Sequence, residues 1–299
     1  MRKRKAVEHV QEVLTVSQRR ACGVLEQPRS SQRYTVQGAD RDRELVQRML
    51  ALAKEHPRYG YRRITALLRR EDRRVNRKRV YRLWRQEGLQ VPVRQRKRRH
   101  KGSSANSCTR RKSERPNQVW SYDFVMDQTE DGRRLKWLAI VDEYTRECLR
   151  LEVERTMEAV DVVEILRGLV AERGLPEFIR SDNGPEFIAE AVQKYLVERG
   201  GQTAFIAPGA PWENAYSETF NSRLGDELLK REVFTSLPEA KVLGARYRKD
   251  YNEERPHSAL GYRTPAAYAA VCSAARSATL RAQPSREKPK AKTLITSGT

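Results

Sequence analysis

The chain has 299 residues, 38% of them hydrophobic and 33% charged, with a formal net charge of +21. No apolar run approaches the roughly 18–20 residues of a membrane span, and the basic start Met1-Arg2-Lys3-Arg4-Lys5 leads into no apolar signal segment, so a cytoplasmic protein with no membrane partner is expected. The length allows a sizeable core and two or three domains, and the scattered cysteines (Cys22, Cys108, Cys148, Cys272) and histidines show no zinc-ligand spacing, which leaves free thiols.

The charge is unevenly spread. Residues 1–118 carry net +23, residues 119–270 net −7 and residues 271–299 net +5. A block that basic calls for a polyanionic partner, most simply nucleic acid.

Apolar spacing predicts a helix within residues 6–27, broken near Ser17, which is placed to cap a second short helix. Residues 27–40 read as a polar linker, and a helix over 41–54 buries Leu45, Met49, Leu52 and Ala53. After the turn at His56-Pro57-Arg58-Tyr59-Gly60-Tyr61, the residues Ile64, Leu67 and Leu68 mark one helix face. Asn76 is a plausible N-cap for a helix ending before Gly88, with Val80, Leu83 and Trp84 inward and Arg77, Lys78, Arg79, Arg82 and Arg85 outward. Two short helices with a basic second face resemble a helix-turn-helix, with Arg62 and Arg63 at the start of the first. Residues 91–118 read as a basic, flexible linker whose Arg98 and Arg99 track phosphates.

From residue 119 the period changes. Strands are predicted over 119–126, 135–142 and 148–153, joined by short turns as an antiparallel meander. A helix over 159–172, with Val163, Leu166 and Val170 on its face, precedes a fourth strand at 177–181. A helix over 185–199, a fifth strand at 203–206 and a long helix from about 213 to 229 follow. The expected fold class is α/β, and the order β-β-β-α-β-α-β-α is that of a ribonuclease H-like catalytic core, here with an all-α N-terminal region. Domains are expected at 1–40, 41–90, 91–118 and 119–230, with a helical C-terminal part at 231–270 and a basic, disordered tail at 271–299.

Three acids stand out. Asp123 interrupts the aromatic strand Trp120-Ser121-Tyr122-Asp123-Phe124, where a half-buried carboxylate needs a partner and a cation is a natural one. Asp182 follows a short apolar strand and opens the turn Asp182-Asn183-Gly184-Pro185. Glu218 lies on the long helix, with thirty-five residues between it and Asp182. Three carboxylates from separate elements are what phosphoryl transfer through two Mg²⁺ ions requires. Asp127, Asp142, Glu143 and Glu186 read as ordinary surface acids.

Tyr122-Asp123-Phe124, Ser181-Asp182-Asn183-Gly184-Pro185-Glu186-Phe187 and Asn214-Ala215-Tyr216-Ser217-Glu218-Thr219-Phe220-Asn221 resemble the acidic motifs of DDE transposases and retroviral-type integrases. Among these the chain most resembles the second-reading-frame product of the insertion-sequence-three family. Tyr59-Gly60-Tyr61-Arg62-Arg63 with Val75-Asn76-Arg77-Lys78-Arg79-Val80 resembles that family's helix-turn-helix, and Arg255-Pro256-His257-Ser258-Ala259-Leu260-Gly261-Tyr262 its C-terminal signature. The resemblance implies a Mg²⁺-dependent DNA strand transferase, with two ions held by Asp123, Asp182 and Glu218 and Mn²⁺ able to substitute. An element end is hydrolysed, and the freed 3′-hydroxyl attacks another phosphate with no covalent protein intermediate. The implied partners are double-stranded DNA at terminal inverted repeats and target sites, further copies of the chain, and the product of an upstream first reading frame.

One departure is visible. The family usually carries Lys or Arg seven residues after the last Glu, where this chain has Gly225. Arg223, the nearest base, stands about 160° round the helix from that position at about 100° per residue. Two alternatives remain at this point: a nuclease for RNA–DNA hybrids on the same fold, and a non-catalytic DNA-binding regulator.

Overall fold

The computed structural model describes residues 2–34, 39–91, 113–181, 186–200, 202–205 and 215–282. The linker arginines Arg98 and Arg99, the acid Asp182 and the tail 283–299 lie outside them. The chain divides into two compact units, Met1–Pro57 with Val75–Gln90, and Arg58–Arg74 with Val91–Thr299. The expected 41–90 segment is therefore shared between them.

In the first unit, α1 (Arg2–Leu14) and α2 (Gln18–Val24) bury Val7, Ala21 and Cys22 together. Ser17 caps α2 by accepting from the Arg20 N–H at 3.4 Å. The expected linker contains a short helix, α3 (Arg29–Arg33). No apolar period announces it, because polar bonds hold it: Arg4 Nη2 donates to the Gln32 carbonyl at 2.9 Å, and Gln32 Nε2 to the Arg4 carbonyl at 3.2 Å. The helix α4 (Ala39–Glu55) buries Leu45, Met49 and Leu52. The helix α6 (Arg77–Gln86) buries Val80, Leu83 and Trp84, is capped by Asn76 accepting from the Lys78 N–H at 2.8 Å, and stops at Gly88 with φ +67°.

In the second unit, α5 (Tyr61–Arg70) buries Ile64, Leu67 and Leu68. The strands β1 (Val119–Gln128), β2 (Arg134–Asp142), β3 (Cys148–Glu154), β4 (Phe178–Ser181) and β5 (Gln202–Phe205) form one sheet in the order β3-β2-β1-β4-β5. The first three strands pair antiparallel as the expected meander, and β4 joins β1 and β5 in parallel. The helices α7 (Ala159–Arg173) and α8 (Glu186–Val197) lie between strands in sequence, as parallel crossovers require.

Alternation along the strands feeds two cores. Trp120, Tyr122, Leu138 and Ile140 meet α7 and α8 residues Leu166, Leu169, Val192 and Leu196 on one face. Trp137, Ala139, Val141 and Leu151 meet α9 (Ala215–Leu224) and α10 (Leu237–Glu253) on the other, through Phe220, Leu224, Tyr247 and Tyr251. This three-layer arrangement is the ribonuclease H-like fold. The inward face of α7 centres on Val162, Leu166 and Leu169 rather than on Val163, Leu166 and Val170.

Two further expectations are corrected. The helix α11 (Pro265–Ala282) runs past residue 271, where the tail was expected to begin; its alanine-rich sequence favours helix more than its overall polarity suggests. Asp142 and Glu143 are buried, not surface acids, at 3% and 1% exposure. Asp142 caps the turn after β2 by accepting from the backbone N–H groups of Asn117 (2.7 Å), Tyr144 (2.7 Å) and Thr145 (3.3 Å). Burial raises its pKa and these bonds oppose the rise. Glu143 takes Arg180 Nη1 at 2.9 and 3.1 Å, tying the end of β4 to the end of β2.

Gly244 lets α10 approach the sheet, since a Cβ there would stand 2.6 Å from Trp137 Cζ3. Trp137 is wholly buried in the core it shares with α10. We expect Gly244→Ala to destabilise the protein by about 1–3 kcal/mol despite the better helix propensity of alanine. Thermal melting checks this, and an unchanged or higher melting temperature contradicts the close packing.

Candidate active site

The strand β1 carries Asp123 on the face opposite Trp120 and Tyr122, toward α9. Its carboxylate is half-buried and held by two donors: the Phe124 N–H reaches Oδ1 at 2.8 Å, and Asn221 Nδ2 of α9 reaches Oδ2 at 2.7 Å. Glu218 precedes Asn221 by three residues, so the two share one helix face. Its side chain is exposed in the first turn of α9. The structure thus sets the Glu218 helix on the Asp123 strand through one direct bond. Asp182 is outside the described residues; the last described pair of the β1–β4 ladder is Tyr122 with Ser181, the immediate neighbours of Asp123 and Asp182 in sequence.

Two buried oxygens near Asp123 find no hydrogen-bond partner among the described residues: Asn221 Oδ1, and Ser121 Oγ two residues back on the same strand face. Carboxylates and neutral oxygens are the donors that Mg²⁺ prefers. Among the described residues, which leave out Asp182, no group of three possible ligands converges.

Beyond Leu224 the helix continues as a π turn, Gly225–Leu229, with the Lys230 N–H bonded to the Gly225 carbonyl at 3.0 Å. A Cβ at Gly225 would meet nothing within 4 Å. Two residues on, Glu227 is clasped by Arg255: Nη2 donates to Oε1 and Nε to Oε2, each at 2.7 Å. Arg63 Nη1 of α5 stands 3.7 Å from Oε1. Burial works against the charge of Arg255, but the bond to Glu227 outweighs it and raises its pKa. Arg255 Nη1 also lies 3.1 Å from His257 Nε2. Burial, then the positive charges of Arg255, Arg63, Arg146 and Arg223, push the His257 pKa down to about 3. The ring is therefore neutral and accepts from Arg255.

The expected DNA contacts separate into groups. Arg77, Lys78 and Arg85 are exposed on α6. Arg79 and Arg82 both engage Asp42 of α4, at 2.7 and 2.8 Å. Burial would raise the Asp42 pKa, but these two guanidiniums hold it below the ordinary value. Arg62 is exposed, whereas Arg63 is turned inward to Glu227. Arg223 is half-buried on α9, and Arg98 and Arg99 are not described. Sequence reasoning missed Asn221, whose signal was its spacing of one helical turn from Glu218, and Glu227, which carried no local signal.

A family profile described as Integrase core domain matches residues 113–211, and a second of that description matches 199–265. A profile described as HTH-like domain matches residues 40–98. The "Insertion element IS407 uncharacterized 31.7 kDa protein" of Burkholderia multivorans is 39% identical, over 87% of this chain and 93% of its own. The "Transposase InsD for insertion element IS2A/D/F/H/I/K" of Escherichia coli is 30% identical, over 76% of this chain and 78% of its own. Among solved structures, the HTLV-2 integrase catalytic core domain in complex with magnesium is 15% identical, with a TM-score of 0.41 over 52% of this chain and 97% of that one.

The depressed pKa of His257 makes a pH prediction. The ordinary value is about 6.5, so below it the unfolded chain takes up a proton that the folded chain refuses. This contribution is complete above pH 6.5 or so and is lost as pH falls toward about 3, at no more than about 1.4 kcal/mol per pH unit. His257→Gln is expected to lose less melting temperature than wild type between about pH 7 and about pH 4.5. Parallel pH profiles would count against a neutral buried ring.

Proposed function

The chain belongs to the insertion-element transposases with an integrase core, DDE-type polynucleotidyl transferases that act on DNA, and we propose that Asp123, Asp182 and Glu218 hold its two divalent cations. The observation that carries this reading is the Asn221–Asp123 bond, which brings the face of α9 bearing Glu218 onto the strand bearing Asp123. The oxygen-only donor set, with Asn221 Oδ1 buried beside it, fits Mg²⁺ and admits Mn²⁺. When bound, the two ions neutralise charge at the attacking and leaving oxygens of the phosphodiester.

The protein's own residues do the positioning. Asn221 and the Phe124 N–H fix both oxygens of Asp123, so the strand presents this carboxylate in one orientation. Exposure of Glu218 leaves it open to a cation and to DNA from the solvent side. The products are an element end with a free 3′-hydroxyl and then a strand joined to another DNA phosphate. We place DNA engagement in residues 41–90 and in the linker 91–118, with Arg62, Arg77, Lys78, Arg85, Arg98 and Arg99 meeting phosphates and Arg79, Arg82 and Arg223 beside them. The chemistry lies in residues 119–230, completed by 231–270, and the basic tail 271–299 adds non-specific attraction. Two element ends must meet, so two or more copies act together, with a first-reading-frame product as a further partner. We place the protein in the cytoplasm at the nucleoid, where its DNA lies; no described helix is long and apolar enough to cross a membrane.

The test is cleavage and strand transfer on a duplex carrying the element end, with Mg²⁺ or Mn²⁺. Asp123→Asn, Asp182→Asn and Glu218→Gln are each expected to lower the rate about a thousandfold, the several kcal/mol that a metal site supplies, while end binding stays within about twofold. Wild-type protein that binds ends but never cuts them overturns the reading in favour of a DNA-binding regulator. Preferential cutting of RNA–DNA hybrids overturns it in favour of a nuclease.

Gly225 supplies a second test. It lies seven residues, about two turns, beyond Glu218, and has open space at its Cβ. Gly225→Arg is expected to steepen the dependence of log K on log salt by about 0.9, one added phosphate contact, in fluorescence anisotropy. An unchanged slope would show that this face does not meet the DNA backbone.

A further inference from the structure

The helix that carries Glu218 is anchored at two points on the side away from it. Phe220, about 200° round the helix from Glu218, packs edge-on against Tyr251 with ring centroids 4.8 Å apart. Further along, the helix continues as the π turn. The second anchor is Glu227, seven residues beyond Phe220, whose side chain is 11% exposed. There it meets Arg255, 3% exposed, through two 2.7 Å bonds, and Arg63 at 3.7 Å. Tyr59 lines the same place, with its ring centroid 5.1 Å from the Arg63 guanidinium and 6.0 Å from that of Arg255.

A planar guanidinium gripping a carboxylate with two parallel bonds fixes direction as well as distance. The π turn is a conformation that α-helices rarely adopt without cause. Glu227, within it, meets two arginines from distant segments, α5 and the stretch after α10. Without Glu227, Arg255 would be left buried without that partner.

We propose that Glu227 is a positioning residue for the metal site: locked between Arg255 and Arg63, it sets the roll of α9 and thereby holds Glu218 and Asn221 over Asp123. This rests on the reading of Glu218 as a metal ligand. It also gives α5, which lies within the HTH-like match, a mechanical link to the catalytic helix through Arg63.

The measurement is Mn²⁺ binding to the purified full chain by calorimetry, alongside thermal melting, so that no DNA cleavage is needed. Glu227→Gln keeps the volume but turns an amide toward two guanidiniums; it is expected to weaken Mn²⁺ binding about 10–100-fold, the range for groups that orient metal ligands. Glu227→Asp, which retains the charge, recovers part of the affinity. The double variant Glu227→Met/Arg255→Met separates positioning from stability, because an apolar pair can replace a buried ion pair without loss of stability. It is expected to melt near wild type yet bind Mn²⁺ as weakly as Glu227→Gln. Wild-type Mn²⁺ affinity in the folded double variant, with Glu218→Gln still weakened, overturns the positioning role alone. Wild-type affinity in Glu218→Gln itself overturns the ligand assignment and this proposal with it. Weak Mn²⁺ binding in the Glu227 variants, in a protein that never joins DNA, upholds the positioning role and overturns only the strand-transfer reading.

Discussion

A carboxylate on the central strand of a sheet covered on both faces must be answered by a donor or a cation. Asp123 is in that position. One donor is the next backbone N–H, and the other is Asn221, which arrives on a helix formed nearly a hundred residues later in the chain. The rest of the catalytic unit follows from this meeting. The meander places β1 at the middle of the sheet, the parallel crossover lays β4 beside it, and the apolar face of α9 presses Phe220 and Leu224 into the core behind. The polar face of the same helix is then left over Asp123.

The charge pattern fits this division of labour. Residues 119–270 carry net negative charge, which by itself repels a polyanion, while the basic first 118 residues attract one. Not every arginine in the basic half serves that purpose. Arg63 is spent inside the catalytic unit on Glu227, and Arg79 and Arg82 are drawn to Asp42. Net charge therefore overstates the number of guanidiniums presented to a phosphate backbone.

Buried ion pairs also do much of the wiring between distant segments. Glu143 with Arg180 ties two strand ends together, and Glu227 with Arg255 ties the π turn to the stretch after α10. Each pair joins residues 28 to 37 positions apart. Such pairs contribute less to net stability than to uniqueness of geometry, because each charge is costly if its partner moves.

Local patterning sufficed for much of the molecule. The alternation in β1–β3, the Asn76 and Ser17 caps and the Gly88 stop are all short-range effects, so they were legible before any fold was known. The acidic motifs and their spacing carried Asp123, Asp182 and Glu218 as candidates in the same way. Three things needed the tertiary structure. The helix α3 is held by bonds from α1 rather than by its own residues. Asp142 and Glu143 look like any polar turn until strand pairing buries them. Glu227 is one acid among many until the fold brings Arg255 and Arg63 to it. In each case the deciding partner is far away in sequence, and periodicity over a few residues carries no information about it.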